Sequence, residues 1–120
     1  MGVFGRRPTE MRSEPRVEFL GEQDGPVEAK LKAVLALELE QFPEVTRAYL
    51  ARVGFQPDNE ISVALCVRFS GKDKEAIVKR VRTRFAELFN RDVILDVLFL
   101  TAQQEADLKR VCSAFYSTAS

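Results

Sequence analysis

Between Val45 and Phe69 apolar side chains alternate with polar or small ones, and this pattern predicts a β-hairpin around which the rest of the chain is arranged. In the second arm Ile61, Val63, Leu65, Val67 and Phe69 face one way, with Ser62, Ala64, Cys66 and Arg68 facing the other. A period of two in a run rich in β-branched and aromatic residues is the mark of a strand with one face in a core. In the first arm Val45, Tyr49, Val53 and Phe55 share a face, with Ala48 and Leu50 opposite. Gln56 to Glu60 joins the arms, where Pro57 fixes φ and Asp58-Asn59 tolerate turn geometry.

The flanking segments change period. Val17, Phe19 and Leu20 predict a short first strand. Asp24-Gly25-Pro26 opens a helix, since proline is tolerated in a first turn, and Val27, Leu31, Val34, Leu35 and Phe42 fall near helical spacing before Pro43 closes it. Asp73 is placed to cap a second helix that runs to about Phe89, with Ile77, Val78, Val81, Phe85, Leu88 and Phe89 on one arc and Asn90 as its stop. Val93 to Leu100 is almost wholly apolar, as in a strand buried on both faces. Thr101 and Gln104 have the spacing of a capping box, which predicts a third helix from about Ala102 to Cys112.

The order β-α-β-β-α-β-α predicts an α+β fold: a split β-α-β, ferredoxin-like, four-stranded antiparallel sheet. Two helices would cover one face, and the C-terminal helix is an addition. Residues 1–15, with three arginines and few apolar side chains, are expected to form a disordered tail, leaving 16–120 as a single domain.

Composition excludes more than it proves. The 120 residues carry 18 basic and 18 acidic side chains, so no global field favours nucleic acid or an anionic membrane. No apolar run reaches the ~20 residues of a membrane span, and the N-terminus lacks the apolar core of a secretory signal. A cytoplasmic protein with free thiols at Cys66 and Cys112 is therefore expected. Without histidine the chain lacks the commonest general base and the commonest metal ligand. No enzymatic activity, metal or cofactor is expected.

Three local features invite a functional reading. The second helix and its flanks hold seven basic residues (Lys72, Lys74, Lys79, Arg80, Arg82, Arg84 and Arg91) against three acidic ones. Nucleic-acid binding there is a remote alternative, because residues 17–46 carry seven acids and two lysines, and an acidic helix beside a basic one needs no outside partner. Asp92 and Asp96 lie on one side of a strand, the spacing of an acid–base or Mg²⁺ pair, although strand-edge solvation explains them as well. Finally, the sheet face opposite the first two helices is half apolar. Tyr49, Ala64 and Cys66 are the candidate interaction face, to be covered by the third helix, a second subunit or a partner protein.

Pro43-Glu44-Val45-Thr46-Arg47-Ala48-Tyr49-Leu50, Asp96 to Leu100, Gln104-Glu105-Ala106 and Val111 to Tyr116 resemble the C-terminal domain of the bacterial SseB (enhanced serine sensitivity) family over roughly residues 17–117. Ala114 stands where that family commonly has proline, and the usual N-terminal SseB domain is missing from this chain. The resemblance implies no established enzymatic activity, cofactor or catalytic residue, and none is carried over; the missing catalytic constellation and the half-apolar sheet face lead to the expectation of a non-enzymatic interaction or regulatory module. The alternative is an amino-acid-sensing domain with ligand loops at Gly21 to Pro26 or Ser70 to Asp73, an analogy at the level of fold.

Overall fold

The computed structural model describes residues 11–12, 17–55, 60–89 and 95–118. Its elements are β1 (Met11–Arg12), β2 (Val17–Glu22), α1 (Pro26–Leu39), β3 (Val45–Phe55), β4 (Glu60–Phe69), α2 (Lys74–Leu88), β5 (Asp96–Phe99), α3 (Ala102–Leu108) and β6 (Tyr116–Ser117). The fold is α+β, as the sequence periods require. The hairpin is formed as expected: β3 and β4 pair antiparallel, with Tyr49 opposite Cys66 and Leu50 opposite Leu65.

The sheet is not the split β-α-β arrangement. Its order is β1-β5-β4-β3-β2, with β6 pairing β3 off that path. The expected first strand, β2, would have lain inside a ferredoxin-like sheet; instead it lies at an edge, antiparallel to β3. β5 runs parallel to β4, so the sheet is mixed rather than antiparallel, and α2 supplies the crossover that parallel neighbours need. Burial explains both placements. All four residues of β5 are buried, which suits an inner strand, whereas β2 is mostly half-exposed and bends at a register shift between Phe19 and Gly21. Met11–Arg12, inside the expected tail, pair in parallel with Val97 and Leu98; the rest of that tail, the hairpin turn at 56–59, Asn90 and Asp92 lie outside the described residues.

Two apolar layers sandwich the sheet. On one face Leu31, Leu35 and Leu39 of α1 and Ile77, Val81 and Phe85 of α2 pack on Ala48, Leu50, Val63, Leu65, Val67 and Val97. Arg80 and Arg84 of α2 both reach Glu38 of α1 at 3.0 Å, so the acidic and basic helices do lie side by side. On the other face Tyr49, Ala51, Val53, Phe55, Ala64, Cys66 and Leu98 pack with Leu100, Leu108 and Cys112. A register shift between Val45 and Arg47 turns Val45 to the same side as Ala48 and Leu50, away from the face expected from simple alternation.

The helix boundaries follow their caps. Pro26 opens α1, which ends at Leu39, and Gln41 and Phe42 then close tighter turns onto Glu38 and Leu39 ahead of Pro43. Asp73 accepts from the Ala76 amide at 3.1 Å to cap α2. Thr101 and Gln104 form the reciprocal capping box of α3, but that helix ends at Leu108, before Cys112, in turns from Arg110 to Asp107 and from Val111 to Leu108. A helix of seven residues gains little from propensity and depends on its cap and its packing. Thr101→Ala is therefore expected to lower stability by about 1 kcal/mol, read as a shift of the urea midpoint with unchanged slope.

Candidate functional site

The candidate interaction face is closed by the chain itself. Tyr49, Ala64 and Cys66 are all buried beneath the C-terminal segment, with exposures of 1%, 0% and 0%. This corrects the expectation that they form an open contact surface. Of the covers considered, the chain's own C-terminal segment packs on that face. Beyond α3, Phe115 and Thr118 donate backbone hydrogen bonds to Ala48 and Thr46 at 3.0 Å each, and β6 pairs with Arg47 and Ala48 where β2 no longer follows β3. Ser113 donates to Glu22 Oε1 at 3.2 Å and ties the segment to β2 as well.

A polar cluster secures this cover. Arg47 and Arg68 stand directly opposite one another across β3 and β4, a pairing that like charges disfavour. Glu105, buried in the first turn of α3, lies between them. Arg47 donates from Nε to Oε2 and from Nη2 to Oε1, the latter at 3.0 Å. The Tyr49 hydroxyl donates to Oε2 at 2.6 Å, and Arg68 Nε lies 3.2 Å from Oε1. Arg68 also donates from Nη1 to the carbonyl of Leu100 at 2.8 Å.

The charges tune one another. The Arg47 guanidinium, helped by the Tyr49 hydroxyl and opposed by burial, holds the Glu105 carboxyl down at about 2. The same pairing reinforces the positive charge of Arg47. Burial first and the Glu105 carboxylate second push the Tyr49 phenol up, so it stays a protonated donor. Burial raises the Cys66 thiol, and raises Cys112 to about 11, which leaves neither as a ready thiolate. Asp96 is buried and accepts from Ser62 Oγ at 2.7 Å. No group of three or more side chains suited to hold a metal ion occurs among the described residues.

Beside the arginines a groove of about 320 Å³ opens to solvent, lined by Thr46, Arg47, Arg68, Phe69, Ser70 and Thr118. Arg47 and Arg68 remain about one-third exposed there, at 36% and 31%. Ser70 belongs to one of the loops proposed for a ligand, whereas Gly21 to Pro26 lies elsewhere, and Pro26 borders a second, apolar groove with Val27, Leu31 and Phe89. Sequence reading gave no role to Arg47, Arg68 or Glu105. The two arginines occupy ordinary strand positions, and Glu105 is 58 residues from Arg47. The one local signal is the capping box at Thr101 and Gln104, which fixes the turn carrying Glu105.

The chain matches no protein-family model, no curated protein and no solved structure. No helix among the described residues is long and apolar enough to cross a membrane.

Proposed function

We propose that this chain is a non-enzymatic binding and regulatory module that meets its ligand or partner at the groove beside Arg47 and Arg68. The observation that carries this reading is the pair of partly exposed guanidiniums, set by a buried carboxylate on the wall of a groove large enough for a small ligand. Fixing the arginines in advance removes ordering entropy that binding would otherwise cost. The lack of histidine, the commonest general base, supports a regulatory rather than a catalytic role. So does the chemistry of the reactive groups: both thiols are buried and protonated, and Glu105 is committed to its arginine and tyrosine partners. The contact surface is then the rim formed by β3, β4 and the C-terminal segment, and not the buried Tyr49, Ala64 and Cys66.

Amino-acid sensing is the second reading, favoured by the position of Ser70 on the same groove. Titration of the ¹⁵N-labelled protein with acetate, sulfate and uncharged glycerol tests the shared element. Anions are expected to shift the amides of Thr46, Arg47, Arg68, Ser70 and Thr118, with glycerol leaving them in place. If no anion moves them, the groove is not a binding site and this reading is lost.

A further inference from the structure

The donor and acceptor pattern of the groove specifies more than an anion. Two guanidiniums share one carboxylate, so the site keeps one positive charge in excess. Arg47 Nη1 and Arg68 Nη2 make no hydrogen bond among the described residues. The arginine side therefore offers one unpaired terminal N–H group from each guanidinium, suited to the two oxygens of a second carboxylate.

The opposite wall is of different character. Thr46 Oγ1 donates to the Arg68 carbonyl at 3.3 Å, Ser70 Oγ to the Glu44 carbonyl at 3.3 Å, and Thr118 Oγ1 to the Thr46 carbonyl at 3.5 Å. With backbone carbonyls at 3.3–3.5 Å to take their protons, these hydroxyls present lone pairs to a ligand. Phe69 adds an apolar patch. A phosphate monoester, with about −1.5 to −2 charges and three acceptor oxygens, would exceed the excess charge and meet lone pairs on the hydroxyl side. A carboxylate matches the charge, and a neighbouring N–H or O–H would meet the hydroxyl oxygens.

We propose that the groove takes a monocarboxylate carrying a hydrogen-bond donor on the adjacent atoms, the chemistry of a hydroxy acid, an amino acid or the C-terminal residue of a peptide. This rests on the groove being the binding surface, and it adds the ligand's class.

Titrations with matched probes separate the two claims. Glycolate, propionate, glycolamide and inorganic phosphate differ in charge, in donor and in acceptor number. Glycolate is expected to bind about tenfold or more tightly than glycolamide, and more tightly than propionate or phosphate. Phosphate equal to or tighter than glycolate, or glycolamide equal to glycolate, overturns the ligand class while leaving the groove a binding site. No response to any probe removes the groove itself. Free glycine against N-acetyl-diglycine then tells a free acid from a chain end; tighter binding of either keeps the class and names its source. Arg68→Gln should abolish glycolate binding. Because that change could disturb Glu105, Ser70→Ala serves as the second variant: glycolate should weaken with propionate unchanged, and an equal effect on both would sink the donor assignment.

Discussion

Tyr49→Ala is expected to destabilise the monomer by about 3–5 kcal/mol, the range for truncating a large buried aromatic. The ring lies in the second apolar layer at 1% exposure, opposite Cys66, and its hydroxyl donates to Glu105. The substitution opens a cavity between the sheet and the C-terminal cover and also removes a bond to a charged acceptor. For a domain of this size that is a large share of the total stability, so low expression of folded protein is the visible outcome. Tyr49→Phe divides the effect: it keeps the packing and loses the hydroxyl, with an expected cost of about 1.5–3 kcal/mol. Urea unfolding of both variants measures the two parts. A Tyr49→Ala protein with a native unfolding midpoint would show that the C-terminal segment does not seal this face.

Glu105→Gln is expected to cost about 3 kcal/mol and to flatten the acid limb of the stability profile. The carboxyl is held at about 2 in the folded protein against 4.5 for the free group. A depressed carboxyl contributes stability that is fully present above its unfolded pKa and is lost as pH falls toward its folded one. Here the window is roughly pH 5 down to pH 2, and the shift corresponds to about 3 kcal/mol. The amide replacement keeps size and some hydrogen bonding but leaves Arg47 and Arg68 facing each other without a counter-charge. Guanidinium chloride is unsuitable for the measurement because its ionic strength screens the pair; urea at a series of pH values is the appropriate probe. If wild type and variant lose stability in parallel between pH 5 and pH 2, Glu105 is not the group that links folding to acid.

Short-range chemistry made the hairpin, the starts of α1, α2 and α3 and the apolar strand before Thr101 legible in the sequence, but not the short strands at Met11–Arg12 and Tyr116–Ser117 or the end of α3 at Leu108. The alternation from Ile61 to Phe69 could only be a strand with two unlike faces, and both faces are found in separate apolar layers. Asp73 and Thr101 capped the helices they precede, and the acidic and basic helices met at Glu38. Tyr49, read from the sequence as a contact residue, is instead buried, and Leu50 on the opposite face lies in the layer beneath the first two helices.

Tertiary structure decided the rest. The same β-α-β-β-α-β order fits more than one sheet, and the choice was made by burial: the wholly buried β5 went inside and the half-exposed β2 to the edge. One register shift near Thr46 placed Val45 beside Ala48, which a strict period of two cannot show. The apolar face of Tyr49, Ala64 and Cys66 looked like a contact surface because the sequence did not show where its own last helix would dock. The arginine groove needed three residues from β3, β4 and α3, with Arg47 and Glu105 58 positions apart. Such a constellation has no period and no spacing in the sequence. It arises when chain closure brings one carboxylate between two facing arginines, and only the folded molecule makes that contact.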